Sequence, residues 1–244
     1  MLHKTRGIVL RCVRFGETSV ICTVFTELLG LQSYMVKGVR TQRSGSRKAN
    51  QLFPSSMLDM VVQRQPQKNL QHIREYQPTI IYTRLQEDVH RHGIALFAIE
   101  VVSQLLVADD PQPALFDFLM QFLIDLDTNS QQLIANFPLF FVVHCGRLAG
   151  YHISGTYSAL TPYPDLREGR FSEHIPDEPP VLEPAEAKRF SAINSALDVD
   201  SLAGMEMNGA ERQRMLQYLL LFLCLHVPHF RELKTLPVLT AILY

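Results

Sequence analysis

The chain has 244 residues, 47% of them hydrophobic and 19% charged, with a formal net charge of −1. This much apolar material excludes wholesale disorder, and the length suffices for one large or two small cores. No apolar run approaches the ~20 residues that span a bilayer. Lys4 and Arg6 stand where a secretory leader would begin, but Glu17 and polar neighbours interrupt any apolar stretch after them. The expectation is a soluble, intracellular protein.

The near-neutral total conceals a split. Through Glu75 there are twelve Lys and Arg against four Asp and Glu, a balance of +8, which leaves −9 for the remainder. One part is suited to a polyanion and the other is not. The four cysteines, Cys12, Cys22, Cys145 and Cys224, have no CxxC spacing and are too few for a disulfide framework in a chain of this length. Reduced, buried thiols are expected.

In chain order, residues 7–15 alternate Val9, Val13 and Phe15 with Arg11 and Arg14, and Gly16-Glu17 marks a turn. Residues 19–26 are β-branched and aromatic, as strands prefer. Gly30 precedes a third run, 31–37, and residues 57–62 and 70–76 supply two more. Five short strands at this spacing predict a small closed barrel.

After Pro78 the period becomes helical. Leu85, Val89, Leu96, Ile99, Val102 and Leu106 share one face of a long segment, with a break expected at Gly93. Asp109-Asp110-Pro111 ends it, and further helices are expected over 114–126, 133–149 (with Pro138 as a kink or boundary), 185–197 and 210–225, with a short one after Pro237. Residues 151–184 read as an irregular connection. The fold class is therefore α+β, with domains at 1–78 and 79–244.

The strongest chemical constellation is Lys37, Arg40, Arg43, Arg47 and Lys48, with no acid between Glu27 and Asp59. Long cations spaced by Gly and Ser suit a phosphate backbone, because they neutralise charge and release counterions without demanding a register. Arg11 and Arg14 lie on opposite faces of a regular first strand, so one of them extends the patch. Phe15, Tyr34 and Phe53 are candidate stacking platforms. The expected DNA-binding set is thus Arg11, Arg14, Lys37, Arg40, Arg43, Arg47 and Lys48.

These residues also carry a resemblance. Lys4-Thr5-Arg6-Gly7-Ile8-Val9-Leu10-Arg11 followed by Phe15-Gly16-Glu17-Thr18-Ser19 resembles the opening of the RecO DNA-repair proteins. Phe25-Thr26-Glu27-Leu28-Leu29-Gly30, Lys37-Gly38-Val39-Arg40, Ala114-Leu115-Phe116 and Leu148-Ala149-Gly150-Tyr151 are similar to later motifs of that family, in the same order. The resemblance implies an N-terminal OB-fold and a helical domain. It also implies a non-catalytic bacterial mediator, cytoplasmic and nucleoid-associated, that binds single- and double-stranded DNA and anneals complementary strands. Such a protein helps load RecA onto DNA coated by SSB, with RecR and the SSB C-terminal tail as partners and no small-molecule substrate or membrane.

One departure stands out. Many members carry a four-cysteine zinc module after the Leu-Gly-Tyr motif, and residues 152–170 here contain no cysteine. A tetrahedral zinc site needs four suitable ligands. His144 and Cys145 are adjacent on a helix and converge poorly with His152, and Pro228 separates His226 from His229 near Cys224. No metal and no cofactor are expected. Two rival functions remain: a protein-only adaptor whose basic loop docks an acidic partner, and a nucleic-acid-processing enzyme. The enzyme is disfavoured because Glu87-Asp88 and Asp109-Asp110 are adjacent pairs rather than a convergent metal-holding cluster, and there is no phosphate-binding loop.

Overall fold

A computed structural model describes residues 1–39, 51–65, 67–131 and 133–244. Five strands, β1 (Leu2–Phe15), β2 (Ser19–Thr26), β3 (Gly30–Val36), β4 (Met57–Gln63) and β5 (Leu70–Pro78), close into a barrel in the order β1-β2-β3-β5-β4. The expected OB-type barrel and the helices after it are both present. Every pairing is antiparallel except β3 with β5, which run parallel from Ser33↔Leu70 to Met35↔His72.

Alternation builds the barrel's interior. On β3 every second residue is buried, and Val24, Tyr34, Leu58 and Val62, all fully buried, share one core with Val9 and Cys22. β1 is long enough to serve two neighbours. It pairs with β4 from Leu2 to Ile8 and with β2 from Gly7 to Phe15, with a bulge between Val9 and Arg11.

The same β1–β2 register overturns the expectation that all four thiols are free. Cys12 lies directly opposite Cys22, and the two are joined by a disulfide with a Cα–Cα distance of 4.3 Å. Facing residues on one side of a hairpin hold their Cβ atoms within bonding reach, and CxxC spacing is irrelevant to that. Cys145 is free and buried, whereas Cys224 is free and exposed.

The helices are α1 (Val89–Leu105), α2 (Pro113–Thr128), α3 (Phe137–Leu148), α4 (Pro184–Ser195), α5 (Gly209–His226) and α6 (Leu236–Leu243). The chain forms two compact units that interleave in sequence. One comprises Met1–Glu87 with Leu106–Asp127, the other Asp88–Leu105 with Thr128–Tyr244.

In the first unit, α2 packs on the barrel. Phe116 meets Phe25 edge-on at 5.4 Å, and the Arg6 guanidinium sits 5.4 Å above the Phe116 ring. Arg6 also grips Glu27 through Nε (2.8 Å) and Nη2 (2.7 Å) and reaches Asp117 at 3.2 Å. Gly30 has φ +65°, and a Cβ there would come within 2.4 Å of the Asp110 carbonyl oxygen, so only glycine lets β3 approach the strap before α2. At the end of α2, the buried Asp127 carboxylate accepts from the backbone N–H groups of Thr83, Arg84 (2.8 Å) and Leu85 (2.7 Å) and from the Thr83 hydroxyl (2.9 Å).

The second unit is helical. α1 runs unbroken through Gly93, contrary to the expected break. A Cβ at Gly93 would meet Ile242 Cδ1 at 2.2 Å, so the glycine marks close packing of α6 rather than a helix end. Glu100 accepts from the Lys234 and Thr235 N–H groups (2.9 and 2.8 Å) and from the Thr235 hydroxyl (2.6 Å), fixing the segment that begins α6. Pro138 opens α3, as a boundary rather than a kink, and α5 carries a reciprocal capping box between Asn208 and Glu211. The stretch read as an irregular connection contains a small hairpin, β6 (Tyr163–Asp165) and β7 (Arg170–Ser172). Its buried Leu166 accepts from His226 Nε2 at 2.8 Å. Among the described residues no helix is long and apolar enough to cross a membrane.

Burial works against the Asp127 charge, but the converging N–H groups outweigh it and hold the carboxyl below its ordinary range. Its contribution is therefore full above the unfolded carboxyl pKa of about 3.9 and fades as pH falls through the lower folded value. Asp127→Ala should cost roughly 3 kcal/mol at pH 7, because several donors lose their acceptor. In urea unfolding, the gap between variant and wild type should narrow below about pH 4.

Candidate nucleic-acid interface

Residues opposite one another on paired strands point to the same side. The interior side of the meander carries Val24, Cys22 and Val20 on β2, with Tyr34 and Val36 facing the last two on β3. The outward side is therefore read off the intervening rows. Arg11 faces Thr23, which faces Ser33; Val13 faces Ile21, which faces Met35 and then His72; Phe15 faces Ser19 at the hairpin end. Lys37 directly follows β3, one position beyond the Val20↔Val36 pair, so it continues the Phe15–Ser19 row.

This wall spans four strands, roughly 14 Å at the usual inter-strand spacing. Arg11, Val13, Phe15 and Lys37 are exposed, and Ile21, Met35 and His72 are half-buried. Phe15 keeps 50% of its surface accessible and Val13 39%. A bulge between Val61 and Val62 on the β4–β5 ladder leaves Arg74 unpaired and exposed, where it donates to Gln63 Oε1 through Nε at 3.0 Å. Lys37, His72 and Arg74 border an open cleft of about 620 Å³ with Tyr76 and Glu75. Burial pushes the Tyr76 phenol up to about 12, so it stays a neutral ring at physiological pH. A second recess beside Thr23 and Ser33 is lined by Arg64 and Lys68, with Arg64 3.6 Å from Asp109.

The opposite wall is different. Lys4 lies in a row with Val61 and Glu75, and Arg6 in a row with Asp59 and Gln77, so each cation shares its row with an acid. Arg6 is engaged by Glu27, whose hydrogen bond raises the guanidinium's pKa, while Arg6 in turn holds the Glu27 carboxyl low. On the β1–β2–β3–β5 side Arg11 and Lys37 form no ion pair among the described residues, although Glu75 borders the Lys37–Arg74 cleft and Asp109 meets Arg64.

The candidate residues named from sequence fall out as follows. Arg11 is on the outward wall. Arg14 belongs to the interior row, opposite Val20, yet lies past the barrel rim and is exposed. Neither these two nor Lys37 forms an ion pair with another described residue. Arg40, Arg43, Arg47 and Lys48 lie outside the described residues. Of the stacking candidates, Phe15 is half-exposed and Phe53 half-buried, but Tyr34 is fully buried in the barrel core and offers no face to a ligand. Arg64, Lys68, His72 and Arg74 were missed. His72 and Arg74 join the wall because their strand, β5, pairs in parallel with β3, a closure that strand patterning does not announce; the OB topology itself was the available signal.

Among the described residues no three His, Cys, Asp or Glu side chains converge as metal ligands. The earlier metal candidates have other roles. His144 Nε2 bonds the Ala196 carbonyl at 3.0 Å, and burial pushes the Cys145 thiol well up.

Two family models cover nearly the whole chain: Recombination protein O N terminal over residues 1–82 and Recombination protein O C terminal over residues 86–237. A curated relative named DNA repair protein RecO, from Christiangramia forsetii, is 28% identical over 244 residues and spans 99% of both chains. Others with the same name are 28% identical over 241 residues in Bacteroides fragilis (98% of each chain) and 26% over 247 in Porphyromonas gingivalis (99% of each).

The outward wall makes a residue-level claim. Phe15→Ala should weaken binding of a labelled single-stranded oligonucleotide roughly 5- to 100-fold, the range for loss of one base–aromatic stack. Lys4→Ala, on the charge-balanced wall, should change it less than about twofold. Fluorescence anisotropy at fixed salt checks both.

Proposed function

The chain belongs to the RecO family of DNA repair proteins, and from that premise we propose that it acts as a recombination mediator without catalysis of its own. In this reading it binds single- and double-stranded DNA through the basic barrel and anneals complementary strands. It then helps load RecA onto SSB-coated DNA, with RecR and the SSB C-terminal tail as protein partners, at the nucleoid in the bacterial cytoplasm. The observation that carries the reading is the outward wall, where Arg11 stands two rows from the exposed Phe15 and Lys37 continues the Phe15–Ser19 row. Aromatic platforms between cations grip a strand by stacking and by counterion release, with little demand on sequence.

Lys37 also begins the stretch of sequence that carries Arg40, Arg43, Arg47 and Lys48, and those cations add to the phosphate contacts in this reading. The acidic remainder of the chain repels phosphate and suits protein contacts better than DNA. Annealing follows from the same chemistry: cations screen two approaching strands, and stacking that is indifferent to sequence lets the strands search for register.

Titration of a labelled single strand at several salt concentrations tests the reading. With about five cations on phosphate, log K should fall against log[salt] with a slope of roughly −3.5. No binding at low salt would support the adaptor instead, and metal-dependent cleavage of the strand would support an enzyme. Reversing Arg40, Arg43 and Arg47 to Glu should abolish binding and leave the thermal melt nearly unchanged. Equal binding by that variant would move the DNA site away from those three arginines.

A further inference from the structure

The outer half of the β1–β2 hairpin has thin support. β1 loses β4 after the Ile8↔Met57 pair; Val9 exchanges hydrogen bonds with Ser55 and Ser56, and from Arg11 to Phe15 the strand pairs only with β2 among the described residues. This half carries Arg11, Val13 and Phe15 outward. Across its interior side runs the Cys12–Cys22 rung, continued by Tyr34 on β3. Cys22 is fully buried, whereas Cys12 is only partly covered and so is the sulfur a small oxidant reaches.

We propose that Cys12 and Cys22 form a reversible dithiol–disulfide site that sets how firmly the DNA-binding hairpin is held. The proposal rests on the function argued above, in which Arg11 and Phe15 of this hairpin contact a nucleic-acid strand. A reducing cytoplasm keeps such a pair as two thiols, and a peroxide closes it. The Cys12 thiolate attacks the peroxide O–O bond, forming Cys12 sulfenic acid and, with hydrogen peroxide, releasing one water after protonation. The Cys22 thiol then attacks the Cys12 sulfur, the S–O bond breaks, and a second water leaves. Two thiols lose two electrons and two protons in all, and one peroxide is reduced. A dithiol reductant reverses the bond by thiol–disulfide exchange.

Closing the rung removes freedom from a short loop and pre-organises the cations and ring on the opposite face of the same strands, so less ordering is left for DNA to impose. Cys145 is buried and Cys224 is remote in sequence on α5, so neither substitutes for the pair.

The test uses the full chain in a Cys224→Ser background, so that the exposed thiol does not consume oxidant. After hydrogen peroxide the titratable thiol count under denaturing conditions should fall by two, and peptide mapping should join Cys12 to Cys22. The oxidised form should melt roughly 5–10 °C above the reduced one. It should also bind a single-stranded oligonucleotide about 3- to 10-fold more tightly. Cys12→Ser should abolish both responses, and Cys22→Ala, which keeps an apolar side chain in the core, should do the same. Persistence of both thiols in peroxide would overturn the site, as would a bond whose reduction changes neither melting nor affinity. Absence of DNA binding in both redox states would instead overturn the functional reading, while the thiol count and the melts still decide the redox chemistry.

Discussion

One extra residue in β1 governs which side chains the barrel turns outward beyond Val9. Up to Val9 the odd-numbered positions of β1 point inward, Val9 facing Val24 across the ladder. The bulge between Val9 and Arg11 inserts Leu10, and beyond it the even positions, Cys12 and Arg14, join the interior row. A strand repeats every two residues, so a shift of one exchanges its faces. Had β1 continued in register, Arg11, Val13 and Phe15 would have turned toward the barrel interior and Cys12 away from Cys22. The outward cation, the exposed ring and the covalent rung thus share a single cause.

This explains why much of the fold was legible and part of the site was not. The strands were legible because β-branched and aromatic residues alternate between Gly and polar turns, and the helices because their apolar period changes after Pro78. The Cys12–Cys22 pairing was within reach too. A turn over residues 16–18 puts Phe15 opposite Ser19, and stepping back along both strands puts Cys12 opposite Cys22. The bulge was not legible, because Val9, Leu10 and Arg11 carry no Gly or other local residue signal that marks an extra position. Gly93 was misread for a similar reason: its role lies in the approach of Ile242, far along the chain. Tyr34 has the composition of a stacking platform, and only the register places it inside the core.

The charge split has a structural counterpart within the first unit. On the β1–β4–β5 side, Lys4 and Arg6 lie in rows with Glu75 and Asp59, and Arg6 is committed to Glu27 and to the packing of α2. On the β1–β2–β3–β5 side, Arg11 and Lys37 form no ion pair among the described residues, and Glu75 reaches only the cleft at the edge of that wall. Mixed charge on one wall and excess positive charge on the other gives the barrel a polarity that its total charge does not express. Long-range attraction to a polyanion follows that polarity and is screened by salt.

The central claim is that DNA meets the wall whose orientation the β1 bulge sets. Backbone amide shifts of the ¹⁵N-labelled chain, followed during titration with a short single strand, test it most directly. The account predicts perturbations concentrated at Arg11, Val13, Phe15, Lys37, His72 and Arg74, and little change at Lys4, Asp59 and Gln77. Perturbations confined to the Lys4–Asp59 wall or to the helical unit would contradict it.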